Sequence, residues 1–83
     1  MVDYTLLIKS LILPLVIYED QVVVTEEKDE EGVLNIEVKV SNKDFGRVIG
    51  KGGKIANAMR TIVYAAATKE EKRVKVNIGQ LDE

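Results

Sequence analysis

Three glycines stand within four residues, Gly50-Lys51-Gly52-Gly53, in a stretch that otherwise favours helix. One continuous helix cannot run through them, because glycine loses more backbone freedom in a helix than any other residue. The chain must turn a tight corner there, between a short helix over residues 44–49 and a longer one over 54–68. Glycine at both ends of the corner permits backbone angles closed to other residues. Lacking a Cβ, it also lets another molecule's backbone come close. If Gly53 opens the second helix, unpaired amides and the positive end of the helix dipole face the loop, which favours an anion. Lys51 and Lys54 add charge at the same place.

A plain corner between two helices would use such glycines equally well. The distribution of charge favours the anion reading. Fourteen acidic and twelve basic residues give a net charge of −2, which by itself does not mark a nucleic-acid binder. Residues 43–60, however, hold five basic residues (Lys43, Arg47, Lys51, Lys54, Arg60) and one acid, Asp44, a local charge of +4. Residues 19–31 hold seven acids and one lysine, a local charge of −6. A basic segment centred on a glycine loop is the footprint a phosphate ligand needs. Other glycine motifs fail. No glycine has the register of a Walker A loop, and G-x-G-x-x-G begun at Gly50 and Gly52 meets Ile55 at its last position. Ser41, with Asp44 three residues on, resembles a capping box for the short helix.

The chain has no cysteine and no histidine. That removes disulfides, thiolate metal sites, a cysteine nucleophile, and the commonest general base and metal ligand. A binding protein is therefore expected rather than an enzyme, with no catalytic residue, metal or cofactor. The acidic run at 26–31 lacks the spacing of a calcium loop and reads as a solvated connector.

A length of 83 residues suits one small domain with a modest core, expected over residues 1–83 with a frayed tail at 80–83. Its first apolar segment, from Leu6 to Ile17, is interrupted by Lys9, Ser10 and Pro14. It falls short of the ~20 residues that cross a bilayer and lacks the flanks of a signal peptide. A buried amphipathic helix is expected, in a cytoplasmic protein without membrane contact. Asp3 is its N-cap, and Pro14 ends it near Leu13, since the residue before proline avoids helical angles. Tyr4, Leu7 and Leu11 share its inward face, broadened by Ile8 and Ile12.

Residues 21–25, with three valines, read as a strand, and 26–32 as a polar hairpin connector. Residues 33–40 and 72–78 alternate apolar and polar, as strands with one buried face do. The first two strands should form an antiparallel hairpin. The last should join the second in parallel, through a right-handed helical crossover. The expected fold class is α+β, αββααβ, with three helices packed on one face of a mixed three-stranded sheet.

That order, with Gly46-Arg47-Val48-Ile49-Gly50-Lys51-Gly52-Gly53-Lys54 between the middle helices, resembles a type II (prokaryotic) KH domain, whose G-x-x-G loop clamps a nucleic-acid backbone. The likeness covers nearly the whole chain. The proline-bearing first helix, the Arg60-Thr61 step and the Ala65-Ala66-Ala67 run are similar to the small bacterial single-KH proteins of the KhpA (YlqC) type. Phe45 stands where a smaller aliphatic is usual, and two glycines end the loop. The resemblance implies binding of about four unpaired nucleotides of single-stranded RNA. Gly50, Lys51, Gly52 and Gly53 would be the clamp, with Arg47 and Lys54 beside it. Val48, Ile49, Ile55, Ala56 and one strand edge would line the groove for the bases. Core packing is the alternative for Val48, Ile49 and Ile55. Phe45 is the only phenylalanine and no tyrosine lies near the loop in sequence, so bases would be held by apolar packing and backbone hydrogen bonds rather than by aromatic platforms. The resemblance further implies an RNA-chaperone or post-transcriptional role, exercised with a second KH protein of the Jag/KhpB type in cell division, cell shape and envelope control. It also implies self-association.

The longer helix carries its own sign of association. Ile55, Ala56, Ala58, Met59, Ile62, Val63, Ala65, Ala66 and Ala67 are apolar, leaving a polar stripe of Asn57, Thr61, Tyr64 and Thr68 with Arg60 beside it. One sheet cannot cover so wide an arc. Flanking helices must cover it, or a partner meeting Ile62, Ala58, Val63 and Ala65. This keeps open a second class of function, a dimerisation or protein-interaction scaffold with a degenerate KH groove.

Overall fold

A computed structural model describes residues 2–81. Asp3 caps the first helix, α1 (Tyr4–Ile12): its Oδ1 accepts from the Leu6 amide at 3.1 Å. Tyr4, Ile8 and Ile12, one turn apart, form the buried face of α1, and Leu7 and Leu11 are only half-buried beside it. The inward face is thus centred one residue from the expected one. The helix ends at Ile12, and Pro14 sits in a 3-10 turn, Leu13–Leu15, that carries the chain off the helix axis.

Strand β1 (Val23–Lys28) pairs antiparallel with β2 (Leu34–Val40), and β2 pairs in parallel with β3 (Val74–Gln80), in the order β1-β2-β3. The strand expected at 21–25 starts and ends later. Glu26, Glu27 and Lys28 lie opposite Ile36, Asn35 and Leu34 and belong to the ladder, not to the connector. Register with β2 outweighs their poor strand propensity, and charged residues suit an edge strand. The connector shrinks to a turn in which Asp29 Oδ1 accepts the Glu31 and Val33 amides at 2.9 and 3.0 Å. At the other end, β3 runs past the expected Ile78. Gln80, expected to fray, is paired with Val40, and the Leu81 amide bonds the Val40 carbonyl at 2.8 Å. Asp82 and Glu83 of that tail lie outside the described residues.

Between β2 and β3 run α2 (Phe45–Ile49) and α3 (Lys54–Lys69), which form the helical crossover between the two parallel strands. The three α-helices, of which α2 has only five residues, cover one face of the mixed sheet. Ile36, Val38 and Val40 of β2 and Val76 of β3 meet Ile8, Ile12, Val48, Met59, Val63 and Ala67 from the helices. Burying each aliphatic side chain of this kind is worth about 1.5–3 kcal/mol. The other sheet face carries Thr25, Glu37, Lys39, Lys75 and Asn77, all exposed. Glu70, the C-cap of α3, accepts the Tyr4 hydroxyl at 2.6 Å and the Val2 amide at 3.2 Å, which ties α3 to the start of α1. That bond pushes the Tyr4 phenol up to about 12 and holds the Glu70 carboxyl below its usual range. Among the described residues no helix is long and apolar enough to cross a membrane.

Candidate nucleic-acid interface

Asp44 sets the geometry of α2. It is fully buried, and its carboxylate accepts the Ile17 and Tyr18 amides at 3.0 and 2.9 Å. The expected capping box between Ser41 and Asp44 therefore does not form. Asp44 itself is the N-cap of α2, without a side-chain cap bond, and the Ser41 hydroxyl accepts the Lys43 amide at 3.2 Å. A short aspartate side chain turned toward the segment after α1 cannot also reach back to its own helix start. One consequence is electrostatic: the single acid of residues 43–60 points inward, and Arg47, Lys51 and Lys54 stand exposed around the glycine loop.

The three loop glycines are unlike one another. Gly50 ends α2 at φ 76°, ψ 172°, a region of backbone space that is essentially glycine's alone. It also has no room for a side chain: a Cβ there would lie 2.6 Å from Cγ1 of Ile55 and 2.9 Å from the Ile55 amide nitrogen. Gly52 has φ 65°, ψ 20°, yet a Cβ on it would meet nothing within 4 Å. Gly50 thus closes the corner, while Gly52 leaves an open approach to the backbone. Gly53 is the N-cap of α3, so the loop leads directly into a sixteen-residue helix whose first amides and positive dipole end face it.

The structure brings Arg47, Ile49, Gly50, Lys51, Gly52, Gly53, Lys54 and Ile55 together at one corner, with Ile49 and Ile55 half-buried. Val48 and Ala56, expected in the base groove, are 0% and 2% exposed and belong to the core. Their alternation with Ile49 and Ile55 around the helix turns them inward. Arg60, counted with the basic segment, is committed elsewhere. Its Nε donates to the Val76 carbonyl at 3.2 Å and its Nη1 to Asn57 Oδ1 at 3.1 Å.

Those bonds locate the strand edge. The Val76 amide donates to the Tyr64 hydroxyl at 3.3 Å, so both polar groups of Val76 face α3 across the outer edge of β3. Peptide groups alternate along a strand, and the Arg73 carbonyl and Leu81 amide point to β2, as this parity requires. The peptide of Ile78, two residues on from Val76, therefore points to the same outer edge. Since β3 returns antiparallel to α3 after the turn at 70–73, Ile78 stands level with the first turns of α3. The glycine loop and the first turns of α3 thus stand on one side, and the outward-facing peptide of Ile78 on the other. Sequence reasoning named a strand edge without a residue; the alternation of Val74, Val76 and Ile78 was its only signal. A cavity of about 570 Å³ between Tyr4, Lys28, Leu34, Lys72 and Val74 lies at the opposite end of the sheet, away from the loop.

No solved structure matches the chain. The family model described as KhpA/KhpB, KH domain, matches residues 5–78. "RNA-binding protein KhpA" of Listeria monocytogenes is 44% identical over 72 residues, 87% of this chain and 93% of the relative. The protein of the same name in Clostridium acetobutylicum is 46% identical over 72 residues, 87% of this chain and 95% of the relative. That of Caldanaerobacter subterraneus is 49% identical over the same length and shares. The αββααβ order, the mixed three-stranded sheet and the loop between the middle helices agree with the match, and the chain belongs to the KhpA/KhpB KH-domain family.

Proposed function

We propose that this protein binds single-stranded RNA without catalysing a reaction, holding the phosphate backbone on Gly50, Lys51, Gly52 and Gly53. The supporting observation is the contrast within the loop: Gly50 is locked against Ile55, while Gly52 is open above the start of α3. A phosphate there meets the helix N-terminus, with Arg47, Lys51 and Lys54 around it. Unpaired bases lie against Ile49 and Ile55 and pair with the Ile78 edge. No phenylalanine or tyrosine platform is required, and Phe45 is half-buried against the core.

A salt titration tests this reading. Two or three phosphate contacts give a slope of log K against log salt of roughly −1.5 to −2 at about −0.7 per contact on single strands. Duplex RNA should compete poorly, because its bases are not available to the groove. A slope near zero, or equal competition by duplex, counts against the clamp.

We further propose, from the resemblance to small single-KH proteins, a setting of post-transcriptional control or RNA chaperoning in the cytoplasm, acting on cell division, cell shape and the envelope with a Jag/KhpB-type KH protein. Association is supported by α3. Ile62 is 46% exposed, and Ala58 and Ala65 beside it are exposed too. Val63, grouped with them from the sequence, is fully buried and drops out. The small alanines let a second helix come close, in a two-fold contact where the patch meets itself or the matching helix of the partner. Since Ile62 lies outside the core, Ile62→Asp should leave the circular dichroism unchanged and give a monomer in sedimentation. A folded dimer in that variant would place the interface elsewhere. The same surface serves the second reading, a scaffold, which the salt titration separates from RNA binding.

A further inference from the structure

The polar stripe of α3 does not stop where a four-nucleotide footprint would. Gly53, Asn57, Arg60, Tyr64 and Thr68 recur at helical spacing along the wall that faces the outer edge of β3. Thr68 lies fifteen residues beyond Gly53, about 22 Å along the helix. At Val76 the edge is closed, because Arg60 and Tyr64 already occupy its carbonyl and amide. A base there finds no free main-chain partner. It finds instead a guanidinium and a phenol ring fixed in place by those bonds, the kind of surface on which a base stacks. Past this bridge lies a shallow, open depression of about 250 Å³, lined by Tyr64, Ala67, Thr68, Lys72, Arg73 and Val74. Lys72 and Arg73 are exposed at its mouth. Arg73 is partly committed to the hairpin turn, donating to the Glu31 carbonyl and lying near Asp29, and Lys72 lies near the Glu70 carboxylate; Lys72, without a bond to the turn, is the cation offered to a phosphate.

We infer that this depression is a second nucleotide subsite, which takes the strand one or two nucleotides beyond the four held at the clamp and its adjoining edge. The inference rests on the proposed RNA binding at the glycine loop. It assigns Arg60 and Tyr64 as the stacking step between the two, and Thr68 and Lys72 as the distal contacts. The bound strand then runs the length of α3 rather than ending at its first turns.

Binding of randomised RNAs of four and eight nucleotides, measured by competition with the full chain, tests it. A longer strand also offers more registers, so the decisive quantity is what the variants remove. In Lys72→Glu combined with Thr68→Glu, both exposed, affinity for the eight-nucleotide pool should fall about tenfold, as expected for loss of one stacked and contacted nucleotide. The four-nucleotide pool should bind as to the parent. Lys72→Ala alone should lower the salt slope for the longer RNA by about 0.7, the share of one phosphate. Equal binding of the eight-nucleotide pool by parent and double variant overturns the subsite and leaves the clamp standing. If the folded parent binds neither pool, the clamp itself fails and the subsite with it.

Discussion

Replacing Lys51 and Gly52 together by aspartate is expected to abolish RNA binding while the domain stays folded. Two carboxylates would stand where a phosphate must lie, and like charges brought together cost several kcal/mol, so affinity should fall about a hundredfold or more. The fold should tolerate the change. Lys51 and Gly52 are exposed, and a side chain at Gly52 meets nothing within 4 Å. The left-handed backbone at Gly52 costs a non-glycine residue roughly 1–2 kcal/mol, and aspartate is among the residues that visit it. A filter or gel assay with circular dichroism checks both halves. Parent-like binding by the folded double variant would mean that the clamp is misplaced.

The reverse behaviour is expected two residues earlier. Gly50→Ala places a methyl group 2.6 Å from an Ile55 side-chain carbon and 2.9 Å from its backbone nitrogen. The backbone nitrogen cannot swing aside as a side chain could, so α2 and α3 must separate. The conformation itself costs a non-glycine residue of the order of 1–3 kcal/mol before that clash is counted. A total of about 3 kcal/mol or more is a large share of the stability of a domain this small. Urea denaturation should show a much lower midpoint for Gly50→Ala, or no folded baseline. Gly52→Ala should lose only about 1–2 kcal/mol. Equal losses at the two positions would contradict the division between a structural and an accessible glycine.

This division was not legible in the sequence, where Gly50 and Gly52 look alike. It arises because the chain folds back so that Ile55 packs over Gly50. The legible features were those set by local periodicity or by turn chemistry. The glycine corner, the alternation that makes β2, and the Asp3 cap all depend on residues within a turn or two of one another. The features missed depend on distant partners. Asp44 bonds amides 26 and 27 residues away, which no capping pattern encodes. Arg60 looked like one more surface cation until Val76, sixteen residues on, claimed it. Val48 and Ile49 are both apolar neighbours on a five-residue helix, and only packing decides which of them is buried. The extension of β1 through Glu26-Glu27-Lys28 was hidden because the register with β2, not local propensity, sets where an edge strand ends.

The central claim is that single-stranded RNA lies on the glycine loop and the adjoining edge of β3. Titration of a short unpaired RNA into the uniformly ¹⁵N-labelled protein, followed amide by amide, tests it most directly. The account predicts the largest shifts at Gly50, Lys51, Gly52, Gly53 and Ile55 and across the groove at Ile78, with little change at Thr25, Glu37 and Lys75 on the open sheet face. Shifts confined to that open face, or none at RNA concentrations where binding is seen by other means, would contradict it.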